Sequence, residues 1–193
     1  MTIRRDAELR LAVRQTGTLL QDIQDFVGSN SNNEARVRFP RGFIRAAGTH
    51  RRRLSFVGDA TLASNLAYSL MLSDVYRWLI LRTDLSGTAR DMLIKAALAL
   101  GGGIVEAILV EYLTGDVGKR RKFKVRTARL VELGVITDDL RTDLDWLWDM
   151  RCRQHIFDVP DWEYDFYEIG HYTRAAHTVS ALIESLGQAG PLP

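Results

Sequence analysis

From Thr61 onward the chain repeats apolar residues at helical spacing almost without interruption, and each repeat is bounded by helix-capping and helix-stopping residues. That pattern predicts an all-α fold. Asp59 or Thr61 caps a helix reaching about Leu81, whose Leu62, Leu66, Leu70, Val75, Trp78 and Leu79 leave little polar face, as in a central helix. Ser86 or Thr88 opens the next, which runs to Leu113 through Gly101, Gly102 and Gly103. Glycine inside a helix costs about 1 kcal/mol relative to alanine, so the three require a packing reason, either close approach of another backbone or a kink. A shorter helix ends at Leu133 and Gly134; Thr137, Asp138 and Asp139 begin another over 138–156; and Tyr172, Ala176, Val179, Ile183 and Leu186 define a last one.

The first 58 residues read differently. Leu9, Val13, Thr16, Leu20, Ile23 and Val27 alternate spacings of four and three, the seam of a helix that packs on another helix, either on the body or as a dimerising arm. Gly28 to Asn33 ends it. Residues 35–58, with Pro40, Gly42 and Gly48 among many arginines, predict a short hairpin or an irregular basic segment. The expected organisation is an N-terminal helix and Arg-rich segment over 1–58 and a helical bundle over 59–190.

Charge is segregated along the chain although its total is only +2. Residues 1–58 hold eleven arginines against five acids, and 119–129 hold seven lysines and arginines with no acid. Residues 138–149 and 158–168 are acidic. Such a division either presents Arg51, Arg52, Arg53, Lys119, Arg120, Arg121, Lys122 and Lys124 to RNA phosphates or neutralises itself within or between chains. The single Cys152 excludes an internal disulfide and a multi-cysteine zinc site, the histidines lack metal-ligand spacing, and no cofactor motif is present. The charged start and the short uncharged apolar run 96–105 predict a cytoplasmic protein with no membrane partner.

Chemistry concentrates on the helix predicted over 138–156. Projected at 100° per residue, Arg151 and His155 fall within the apolar stripe of Leu140, Leu144, Leu147 and Trp148. A guanidinium there must be paired or face a cleft, because burying it alone costs several kcal/mol. One reading is a structural ion pair of Arg151 with Glu106, Glu111 or Asp74, and a neutral core imidazole at His155. The other is cooperation of an imidazole titrating near neutrality with a permanent cation, a pairing that suits phosphodiester cleavage without metal.

The run Leu144-Asp145-Trp146-Leu147-Trp148-Asp149-Met150-Arg151-Cys152-Arg153-Gln154-His155, after Leu133-Gly134-Val135-Ile136 and an acidic helix start, resembles the C-terminal motif helix of the HEPN superfamily (higher eukaryotes and prokaryotes nucleotide-binding). Gly103 to Leu109, with Glu106, is similar to the family's earlier helix with its acidic residue. The resemblance spans about 61–187. It implies a four- to five-helix bundle, dimerising with two Arg/His pairs across the interface. It further implies a metal-independent endoribonuclease, in a toxin–antitoxin or antiphage defence setting, with catalytic Arg151 and His155 supported by Glu106 and Cys152. Here three residues separate Arg from His where the family more often has four or more, and Cys152 replaces the amide that usually follows the Arg. The alternative is therefore an inactive HEPN-like module that binds RNA or a protein partner.

Overall fold

The computed structural model describes residues 2–118, 122–154, 162–163 and 165–192. The described residues form eight α-helices and one 3-10 turn, with no strand. The chain divides into two units, 1–41 and 42–193.

The first unit is α1, Asp6–Val27, followed by the 3-10 turn Asn33–Ala35. Gly28 ends α1 at φ +59°, a conformation that costs glycine little. The predicted seam lies on α1, and its own unit supplies nothing to cover Leu9, Val13, Leu20 or Ile23.

The second unit is a bundle around α4, Gly87–Tyr112, which touches α3 (Ala60–Arg82), α6 (Phe123–Glu132), α7 (Asp138–Cys152) and α8 (Ile169–Ala189). By length and composition α4 is apolar enough to cross a membrane. In this fold its Ile94, Leu98, Val105, Ile108 and Leu109 form the centre of the core. The expected boundaries come from local chemistry. Asp59 accepts bonds from Thr61 and Leu62 backbone N–H groups, Thr137 accepts from Leu140 N–H, and Gly134 at φ +69° closes α6. A four-residue helix, α5 (Thr114–Val117), follows α4.

Two expectations require correction. The hairpin expected within 35–58 is absent: Ala47–Arg53 is helical (α2), packed on α3, with Leu54, Phe56 and Val57 buried just beyond it. The helix expected to reach residue 156 ends at Cys152; Arg153 and Gln154 N–H groups bond three residues back, and the Arg153 guanidinium lies 4.1 Å from the centre of the Phe166 ring.

Asp74 ties α2 to α3. Only 2% exposed, it accepts from the Arg45 backbone N–H at 2.9 Å and from both Nε and Nη2 of the guanidinium, the latter at 2.6 Å. His50, fully buried, lies with Nε2 3.3 Å from Asp74 Oδ2, while its Nδ1 has no hydrogen-bond partner. An Nε2–H donor and a bare Nδ1 lone pair describe the neutral imidazole, since a proton on Nδ1 would find no acceptor. Burial, then the nearby Arg45 guanidinium, push His50 below its ordinary value despite Asp74. For Asp74 itself burial acts upward, and the Arg45 bonds outweigh it and hold the carboxyl below its usual range.

The three glycines leave α4 continuous from Gly87 to Tyr112. A Cβ at Gly102 would lie 2.5 Å from Arg151 Cβ and 2.8 Å from its Cγ, whereas at Gly103 it would meet nothing within 4 Å. Close approach therefore explains Gly102 alone. Gly102→Ala should lose about 1–3 kcal/mol of stability by overpacking, and Gly103→Ala should be neutral or gain up to about 1 kcal/mol from helix propensity; urea denaturation measures both. Urea denaturation against pH tests His50. Its lowered folded value means that the unfolded chain takes up a proton first as pH falls below 6.5, so stability declines there and is fully present above it. His50→Gln should lose that part of the decline.

Candidate functional site

The cleft that Arg151 lines is built mainly by α3 and α4. On one face of α4, Met92, Ala96, Ala99, Gly103 and Ala107 recur at spacings of three and four, and opposite them α3 contributes Leu62, Asn65, Leu66 and Ser69. The small α4 side chains leave an open cavity of about 790 Å³ between the two helices. Arg151 and Gln154, from the end of α7, line it together with Lys95 and Glu163.

Arg151 is oriented from two sides. Its Nη2 donates to Glu106 Oε2 at 3.1 Å, and its guanidinium carbon lies 4.8 Å from the centre of the Trp148 ring. Trp148 is itself stacked on Phe123 at 4.6 Å, with the rings nearly parallel. Of the three acids that the sequence offered as partners, Glu106 takes the guanidinium. Asp74 is engaged by Arg45 and His50, and Glu111 accepts from the Asp59 backbone N–H. The Arg151 side chain nevertheless stays 31% exposed, so the ion pair does not seal it in the core. A fixed cation of this kind can bind an anionic group or stabilise developing negative charge without reorganising, and the carboxylate beside it offsets part of its field.

The second charged pair of the cleft was invisible to sequence reasoning. Lys95 Nζ donates to both oxygens of Glu163 at 2.7 and 2.6 Å, and Tyr167 Oη donates to Glu163 Oε1 at 3.0 Å. Burial acts to raise the Glu163 carboxyl, but the Lys95 ammonium and the Tyr167 hydroxyl outweigh it and hold it below the ordinary range. Tyr167 is pushed up to about 12 by burial and by the Glu163 carboxylate. A lone lysine in the apolar run of α4 was the available signal. Its partner 68 residues away could not be inferred from spacing.

The remaining site residues are dispersed. Cys152, beside Arg151, is exposed and free. His155, Lys119, Arg120 and Arg121 lie outside the described residues. Lys122 is exposed, while Lys124 donates to Asp149 on α7 at 2.8 Å, an internal neutralisation of one basic and one acidic stretch. On α2, Arg51 and Arg52 are exposed, Arg52 donates to Thr49 Oγ1, and Arg53 donates to Ser180 Oγ at 3.0 Å. His171 caps α8, its Nδ1 accepting from the Glu168 backbone N–H. Among the described residues no three His, Cys, Asp or Glu side chains converge as a metal-ligand set. Comparison with family models, with curated proteins and with solved structures finds no match to this chain.

Proposed function

We propose that this protein is a metal-independent endoribonuclease of HEPN type, in which Arg151 and His155 act together on a phosphodiester. The observation that carries the reading is the Arg151 guanidinium, held by Glu106 and Trp148 yet exposed to an open cleft in a helical bundle. In the proposed reaction the ribose 2′-OH attacks the adjacent phosphorus and gives its proton to the His155 imidazole. The Arg151 cation stabilises the negative phosphorane, and the departing 5′-oxygen takes a proton from water, leaving a 2′,3′-cyclic phosphate. Glu106 is a positioning residue that fixes the guanidinium. Arg51, Arg52 and the lysines near 122–124 would hold the RNA backbone, in a cytoplasmic toxin or defence setting.

The second reading, an inactive module that binds RNA or a protein, is favoured by the largely apolar walls of the same cleft, which suit a partner's apolar side chains as well as a nucleotide.

Incubation of purified protein with total RNA in EDTA separates the two readings. The nuclease reading predicts discrete fragments with cyclic phosphate ends, and a fall of about 10²–10⁴ in rate for His155→Ala with an unchanged circular dichroism spectrum. Arg151→Lys should recover little of what Arg151→Ala loses, because an ammonium does not reproduce the planar two-donor fork. A requirement for Mg²⁺, or full activity in His155→Ala, would remove the mechanism.

The reading includes a pair of chains. The α1 seam of Leu9, Val13, Leu20 and Ile23 is uncovered within its own unit, which favours pairing with a second copy. Sedimentation at micromolar concentration should give the mass of two chains, and Leu20→Glu should give that of one.

A further inference from the structure

A second cavity, of about 310 Å³, lies on a different side of α4, between α3 and α8. Its apolar floor includes Ala97, Gly101 and Ile104 of α4, with Val179 and Ile183 of α8 beside it. Three arginines line this space from different elements: Arg45 before α2, Arg53 at the end of α2, and Arg77 on α3. Hydroxyls of Ser73, Thr173 and Ser180 line it as well, together with His177.

Among the described residues that line the cavity, Asp74 is the only carboxylate, and it is committed to Arg45 and His50. The other two guanidinium groups have no close carboxylate in it. Arg53 donates to the neutral Ser180 hydroxyl, and Glu184 lies 4.0 Å away with its side chain 66% exposed. Arg77 sits 5.7 Å from the centre of the Phe43 ring, a contact that orients the cation without neutralising it. Its three arginines against one carboxylate give the lining two positive charges in excess. Like charges converging on a part-enclosed space repel, and the arrangement is one that a dianion would relieve.

From this geometry we infer that the α3/α8 cavity is a binding site for a small phosphate monoester, separate from the Arg151 cleft. Arg53 and Arg77 meet the phosphoryl oxygens, Ser180 supplies a hydroxyl donor, and the Ala97 and Gly101 floor lets a small organic group lie against α4. The volume stands at the lower end for ligand sites, which fits a terminal phosphate on a compact body. Asp74 holds Arg45 in place and leaves the other two guanidinium groups to the ligand. The inference is independent of the nuclease reading, since it shares no charged residue with that cleft.

Isothermal titration at low salt with inorganic phosphate, ribose 5-phosphate and acetate tests it. We expect saturable binding of ribose 5-phosphate or phosphate with a Kd on the order of 1 mM or tighter, and weaker binding of the monoanion acetate. Tighter binding of the ester than of phosphate assigns the site to an esterified ligand, and the reverse order assigns it to the free ion. Arg77→Gln and Arg53→Gln should each weaken binding roughly tenfold, as loss of one charge-assisted contact does, whereas Arg141→Gln, on α7 and outside the cavity, should not. Thermal melts establish that each variant is folded. Absence of saturation in the wild type, or equal affinity in folded Arg77→Gln, Arg53→Gln and wild type, would overturn the assignment.

Discussion

The bundle depends on how closely α7 approaches α4 at Gly102. The missing Cβ there admits the Arg151 Cβ and Cγ, and any other residue would drive the two helices apart. This steric contact sets an electrostatic one. Glu106 lies one turn further along α4 and receives the guanidinium whose stem passes over Gly102. The cation is thus aimed by backbone packing before its carboxylate partner contributes, and the Trp148 ring, braced on Phe123, adds a contact from its own helix.

Three consecutive residues of a helix point about 100° apart, and the glycine triplet uses all three directions. Gly103 lines the cleft that holds Arg151, Gly102 takes the α7 contact, and Gly101 floors the cavity between α3 and α8. A Cβ at Gly101 would meet Val179 and Leu147 at ordinary contact distance, so only the middle glycine is sterically required. One helix turn without side chains therefore separates two cavities of different character. One is long and apolar with an oriented Arg/Glu pair, and the other is small and ringed by arginine.

Among the described residues, part of the segregated charge is paired within the second unit. Lys124 reaches Asp149, Arg174 reaches Asp143, and Arg129 reaches Asp116, all on exposed surface where such pairs add little stability. Asp74 differs because it is buried, with five hydrogen-bond contacts at most a few tenths of an ångström beyond ideal length, and removing it would strand His50 and Arg45 together. The described lining of the α3/α8 cavity keeps more arginines than acids.

Helix type and most helix ends were legible because they arise from contacts within a few residues. The Asp59 and Thr137 caps, the Gly134 stop and the apolar stripes of α3, α4 and α8 are examples. Helix α7 was legible in its start, and in placing Arg151 toward the rest of the molecule. Its end at Cys152 was not, because the break at Arg153 accompanies a contact with Phe166, thirteen positions along. The helix at 47–53 was hidden for the same reason: its arginine-rich sequence has weak periodicity, and it is held by Asp74 and the α3 surface. Local hydrogen-bonding and burial periodicity are written in neighbouring residues, so the sequence alone determined an all-helical chain with a charged residue on a core-facing stripe. Which carboxylate meets Arg151, where Lys95 finds Glu163, and which arginines gather on the α3/α8 cavity depend on distances between segments tens of residues apart, and only the packing around α4 decided them.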